Sequence, residues 1–154
     1  MRRRHVHKKS VFILLFIISA VFILLSRGLF SSSGDHALKA VDAFYKYEQE
    51  GNFSGSWEMF HPYMKLKFTK GHYLQDRAHV FMNHFGVDTF TYSLGKPKKL
   101  KNWQPPSEEF DLGIVYKVPV TQVFKGKYGN FSLHQEVFVV RVKKDWMILW
   151  DYNK

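Results

Sequence analysis

The residues best placed for chemistry are His72, Asp76 and His79, which follow one another at intervals of four and three. In a helix that spacing puts all three on one side, where imidazole and carboxylate can form an acid/base pair or supply two ligands to a metal ion. His134 and Glu136 form a second polar set, alternating onto one face of a strand-like stretch. Neither set is accompanied by a nucleophile, an oxyanion loop or a phosphate-binding glycine pattern. The three helical residues border an apolar stripe and read first as solvated side chains. No catalytic residue, metal or cofactor is assigned, and an enzyme is the weaker reading.

Lys96, Lys98, Lys99 and Lys101, followed by Trp103, make a basic and aromatic strip of the kind that grips polyanions. Anionic lipid head groups or wall polymers suit it outside a cell; a lysine-protected edge strand is the plain alternative. The aromatics Phe44, Tyr45, Trp57, Phe60, Tyr73, Phe81, Tyr116, Trp146 and Trp150 either pack as core or line a pocket between helices and sheet. Fifteen Phe, eight Tyr and four Trp in 154 residues favour core, because a domain of this size needs large rings to bury enough surface.

The chain is long enough for one domain and too short for two with proper cores. It has no cysteine, which excludes disulfides, thiolate metal sites and a cysteine nucleophile, and tilts an exported domain toward a bacterial source. The formal charge of +10 divides unevenly: Arg2, Arg3, Arg4, Lys8, Lys9 and Arg27 precede Asp35, which leaves 17 basic against 13 acidic residues. That small surplus does not call for nucleic acid, which needs basic groups gathered on one face.

Val11 to Leu25 reads VFILLFIISAVFILL, apolar on every side. These positions rise about 22 Å at 1.5 Å per residue, short of a bilayer core. The expectation is therefore a transmembrane signal anchor extended over residues 10–30. It follows a cytoplasmic basic tail at 1–9, and a spacer at 31–34 leads to an extracytoplasmic domain at 35–154. The preceding arginines and lysines keep the N-terminus inside. Cleavage near Gly34, after Ser31 and Ser33, is the rival reading and yields a secreted domain.

Asp35 is expected to cap a helix whose buried face is Ala37, Ala40, Val41, Phe44 and Tyr47 or Glu48, ended by Gly51. Ser54 is expected to cap a short helix bearing Trp57 and Phe60 and broken at Pro62. Tyr63 to Phe68 adds a helical turn or so. Thr69 opens a longer helix with Leu74, Ala78, Phe81 and Phe85 in a stripe and Gly86 at its end.

The period then drops to two. Phe90, Tyr92 and Leu94 face one way, and a strand is expected around Lys99 to Trp103. Phe110, Leu112, Ile114, Tyr116, Val118 and Val120 share the next face, with Pro119 opposite and suggesting an edge or a bulge. Phe131 to Val142 turns apolar on both faces at Val137 to Val140, which implies a bulge or a central position. Trp146, Ile148 and Trp150 share a face of the last strand. Helices first and hairpins afterwards make an α+β domain.

In this order AVDAFYKYEQEGNFSGSWEMF, the helix ending HFG and the closing hairpin VVRVKKDWMILWD resemble the nuclear transport factor 2-like superfamily. The resemblance implies a cone of about three helices packed on a curved antiparallel sheet. Within it, the chain is similar to the non-catalytic N-terminal domain of methicillin-resistance-type penicillin-binding proteins. Enzymes of this superfamily carry a carboxylate or histidine in the cone, and its sheets also dimerise. The functional expectation is a membrane-anchored extracytoplasmic binding or scaffolding domain that engages an envelope protein or a second copy of itself. A small-molecule pocket, with or without acid/base catalysis, is the alternative.

Overall fold

The computed structural model describes residues 12–20, 32–79, 86–87, 89–105 and 112–150. Residues 12–20 form a helix, α1. It belongs to a first compact unit, Met1–Ser32, and the rest of the chain, Ser33–Lys154, forms a second.

The expected transmembrane helix over residues 10–30 is corrected: among the described residues no helix is long and apolar enough to cross a membrane. The physical reason is length. Residues 12–20 rise about 14 Å at 1.5 Å each, roughly half of a hydrocarbon core about 30 Å thick. The other positions of that expectation, 10, 11 and 21–30, lie outside the described residues, as do the tail at 1–9 and Phe81, Phe85 and Phe110.

Among the described residues of the second unit, four helices precede five strands. α2 (Ser33–Gln49) begins before Asp35, so Asp35 lies in its first turn rather than at its cap. A carboxylate there faces the positive end of the helix dipole. Ala37, Val41, Phe44, Tyr45 and Glu48 are its buried residues. Gly51, at φ 71, turns the chain out of the helix. α3 (Phe53–Glu58) is capped by Asn52, whose Oδ1 accepts from the Gly55 N–H at 3.0 Å; Ser54, the expected cap, lies inside the helix. α4 (Pro62–Lys67) starts on a proline that loses no helical hydrogen bond there. α5 (Lys70–Ala78) is capped by Thr69, as its sequence suggests.

β1 (Phe90–Leu94), β2 (Lys98–Lys101), β3 (Ile114–Gly126), β4 (Gly129–Val142) and β5 (Asp145–Trp150) form one antiparallel sheet. Along one edge of β3, β2 pairs with Ile114–Lys117 and β1 with Val120–Phe124; β4 takes the other edge and carries β5 beyond it. Pro119 therefore belongs to an interior strand. It is tolerated because it falls at the step between β2 and β1. Its carbonyl accepts from the Gly95 N–H at 2.7 Å, and a residue's N–H and C=O point to the same side of an antiparallel strand, so the missing donor faces that gap.

β4 runs in unbroken register with β3, from Val115↔Val140 to Gly126↔Gly129. The apolar stretch Val137 to Val140 thus reflects a central position. Val137 and Val139 lie on the helix-bearing face, while Phe138 and Val140 are buried on the other. There Trp103 stacks on Phe138 at 4.4 Å, with Leu100 and Leu112 against the same core.

The link between α3 and α4 is stitched to β5. The Ile148 N–H donates to the Met59 carbonyl and the His61 N–H to the Ile148 carbonyl, both at 2.9 Å. Phe60 between them is fixed facing inward.

Lys143, in the turn from β4 to β5, holds φ 57, a left-handed conformation that costs a non-glycine residue roughly 1–2 kcal/mol. Lys143→Gly is expected to raise the unfolding free energy by roughly 1 kcal/mol once the flexibility of glycine is set against the relieved strain. A higher urea midpoint at unchanged slope is the measurement that checks it.

Candidate functional site

The interior is built around the ring of Phe60. It meets Phe44 at 5.1 Å, Trp150 at 4.8 Å, Tyr73 at 5.3 Å and Phe68 at 5.3 Å between centroids, each edge to face. Such pairs stabilise by about 0.5–1.5 kcal/mol beyond the area they bury. Phe44, Tyr45, Phe60, Tyr73 and Trp150, all expected near a pocket, come together here as packed rings. Trp57 lies apart, half-buried beneath the ammonium groups of Lys65 at 4.5 Å and Lys70 at 5.4 Å. Tyr116 and Trp146 meet each other at 5.8 Å, outside the ring contacts that Phe60 makes.

A carboxylate is buried beside this cluster. Glu48 follows Val41 and Phe44 on the inward stripe of α2, and its side chain is wholly inaccessible. Oε1 accepts from the Ser56 hydroxyl of α3 and from the Tyr73 hydroxyl of α5, the latter at 2.5 Å. The two hydroxyl oxygens are 3.2 Å apart. Arg77, one turn beyond Tyr73, pairs through Nη2 with Oε2, and its side chain is 16% exposed. The guanidinium carbon lies 6.0 Å from the ring centres of Phe53 and of Trp150. Burying a carboxylate is costly unless charge and hydrogen-bond partners replace water. Here two helices, α3 and α5, supply them.

With both oxygens engaged, Glu48 is arranged to hold helices together rather than to take a proton from a substrate. Burial pushes the Tyr73 hydroxyl above the ordinary tyrosine range; Glu48 pushes the same way and Arg77 opposes. Burial does the same to Tyr45, with Arg77 opposing and Glu48 adding. The Tyr45 hydroxyl donates to Gln135 Oε1 at 2.9 Å. Tyr92, which donates to Asp42 Oδ1 at 2.9 Å, is pushed up to about 12 by burial and by that carboxylate.

Glu48 and Arg77 also border a cleft of about 170 Å³, lined further by Phe53, Val87, Phe90 and Phe124. Small-molecule sites usually enclose roughly 300–1,000 Å³. The cleft is smaller, and its ionisable pair is already matched.

The polar residues singled out by spacing are placed elsewhere. α5 turns Tyr73 and Arg77 inward, which sends His72, Asp76 and His79 to the exposed side. Among the described residues no group of three His, Asp or Glu side chains is arranged to hold a metal. His134 and Glu136 share a face, as their alternation implies, but it is the face away from the helices. His134 Nδ1 lies 2.9 Å from Thr121 Oγ1, and Glu136 pairs with Lys117 at 2.7 Å. The lysine strip divides. Register puts Lys98 and Leu100 on one face with Lys117 and Val115, and Lys99 and Lys101 on the other with Tyr116 and Ile114. Lys96 is exposed before the strand, and Trp103 is taken up in stacking on Phe138.

Spacing offered Glu48 as one choice for the buried face of α2 without giving it a role, and it missed Ser56 and Arg77. Glu48 had a local signal, a carboxylate in line with Val41 and Phe44 on an apolar stripe. Ser56 and Arg77 had none, because only the packing of α3 and α5 brings them to it. No family model matches the chain, and no curated protein matches it significantly.

Glu48→Gln is expected to destabilise the domain by about 3 kcal/mol, since it strips a buried charge from Arg77. The double replacement Glu48→Leu with Arg77→Met should recover most of that loss, because an apolar pair of similar volume avoids the desolvation cost. Urea titration of the singles and the double closes the cycle.

The tyrosines set an alkaline limit. Their folded pKa values lie above the unfolded value near 10, so their stabilisation is complete below pH 10 and is lost as pH rises through the folded values. Unfolding free energy should fall above pH 10 by about 1.4 kcal/mol per pH unit for each buried tyrosine. Tyr73→Phe should lower the neutral-pH stability but flatten that slope, a combination read by denaturant titration at several pH values.

Proposed function

We propose that the chain is an exported, non-enzymatic binding domain of the nuclear transport factor 2-like kind that engages another protein of a bacterial cell envelope. The basic start and apolar run of the sequence support export. The observation that carries the binding reading is that the interior is occupied while half of the opposite sheet face is open. Trp103, Leu100 and Leu112 cover that face over Val115, Phe138 and Val140. Beyond Pro119 most of its described residues are exposed.

Cross-strand register aligns Thr91, Val123 and Ser132 in one row and Ser93, Thr121 and His134 in the next. All but Thr121 are exposed. A shallow depression of about 270 Å³ lined by Thr89, Phe90, Thr91, Val123 and Lys125 borders these rows; the mostly polar side chains around it sit on a regular antiparallel surface with little to reorganise on docking. The engaged carboxylate and the small cleft count against the pocket alternative.

A photo-cross-linkable residue in place of Thr121, introduced in intact cells, is expected to capture an envelope protein. Ser93→Lys with Val123→Lys should abolish the capture while leaving the urea midpoint within about 0.5 kcal/mol of the parent. Recovery of no partner, or of the same chain alone, overturns the reading.

A further inference from the structure

The helix-bearing sheet face carries a second surface at the end where the chain enters the domain. Register pairs Lys101 with Ile114, Lys99 with Tyr116 and Arg141 with Trp146. Tyr116 meets Trp146 at 5.8 Å, so these six side chains share one face. The three cations are exposed, and among the described residues no carboxylate is paired with any of them. Ile114, between them, is 49% exposed. Asp145, in the same hairpin as Arg141, lies across from Val142 on the opposite face; Asp35 is the acidic residue in the first turn of α2.

Two further features mark this end. Lys143 holds φ 57 in the turn beside Arg141, a conformation that glycine or asparagine adopts with less strain, so the turn keeps its charge at a cost in stability. His36 stacks on Trp146 at 6.4 Å. The surface therefore lies beside the first turn of α2.

We infer that this surface docks on anionic lipid head groups. Cations alone suit any polyanion. The half-buried Trp146 and Tyr116 and the exposed Ile114 add what a soluble phosphate polymer does not use, because tryptophan and tyrosine settle at the boundary between head groups and hydrocarbon. The docking is peripheral and requires no spanning helix. Each cation at an anionic surface strengthens partitioning about fivefold, so neutralising three weakens it roughly a hundredfold. Half of the lysine strip, Lys99 and Lys101, is recruited with residues far away in sequence; Lys98 and Trp103 are not.

The test uses the full chain with vesicles whose acyl chains carry bromine, a contact quencher of indole fluorescence. The signal of Trp146 is isolated by difference from Trp146→Phe. On phosphatidylglycerol-containing vesicles the Trp146 signal is expected to be quenched, and on pure phosphatidylcholine it is not. Lys99→Gln, Lys101→Gln and Arg141→Gln together should raise the lipid concentration for half-maximal quenching roughly a hundredfold. The charge-conserving set Lys99→Arg, Lys101→Arg and Arg141→Lys should leave it near the parent value, and near-UV circular dichroism verifies that both sets fold. Binding through the N-terminal sequence alone leaves Trp146 unquenched and overturns the inference. So do equal quenching on both lipids, quenching that survives the glutamine set, and competition by a soluble glycerol-phosphate polymer at matched phosphate with no preference for vesicles.

Discussion

A single buried carboxylate constrains the helical half of this domain. Glu48 is out of water, and an unpaired charge in that position would cost more than a small domain has to spare. Its partners come from two other helices, Ser56 of α3 and Tyr73 and Arg77 of α5. Those helices must approach α2 at one depth and in one rotation, which brings Tyr73 against Phe60 and seats Arg77 between Phe53 and Trp150. Hydrophobic burial supplies most of the driving force for collapse, yet rings can slide past one another with little penalty. A carboxylate held by two hydroxyl donors and a guanidinium cannot, so the polar cluster sets the register in which the rings pack. The backbone bridge from Met59 and His61 to Ile148 then locks the same cluster to the sheet.

The sheet divides its work along β3. Around Val115 and Val118 both faces are occupied, by helix and rings on one side and by Trp103 and its neighbours on the other. At the Phe124 end the helix-bearing face is still closed by Phe90, Phe124 and Phe131, while the other face is open. This division explains why β4 changes character partway along its length. Val137 to Val140 are buried on both faces, whereas Ser132, His134 and Glu136 are exposed, with Phe131 and Gln135 partly buried between them and Leu133 exposed. Pro119 lies at the boundary, where the two shorter strands leave a gap on the β3 edge.

Periodicity made the element types and the facing of most strand residues legible. The even-numbered positions of β3 do face the helices, and Thr69 caps α5. What local pattern did not reveal depends on length, competition or contact at a distance. Apolar composition over Val11 to Leu25 suggested a membrane span, but among the described residues no helix is long and apolar enough to cross a membrane. Asn52 and Ser54 are both good capping residues, and the choice between them rests on where Gly51 turns the chain. The lysine strip looked continuous as a string because four lysines crowd together. A strand sends successive residues to opposite faces, so the strip could never act as one. The Glu48 cluster was least legible of all, since its members are separated in sequence and have meaning only once α3 and α5 have packed.

The open sheet face and the basic aromatic end are carried by the same strand, and this fixes their separation. Ile114 marks the basic end and Val123 the middle of the open face. Nine intervening steps at about 3.4 Å each put them roughly 30 Å apart, several Debye lengths at physiological salt. Charge at one site therefore has little direct effect on the other, and the two surfaces can be occupied at once. They also lie on opposite sides of the sheet. A domain resting on its Lys99, Lys101 and Arg141 surface holds the Thr121 surface away from whatever it rests on. Such an arrangement favours presentation of a protein-binding face over sequestration of a small ligand, and it is consistent with an interior packed for rigidity.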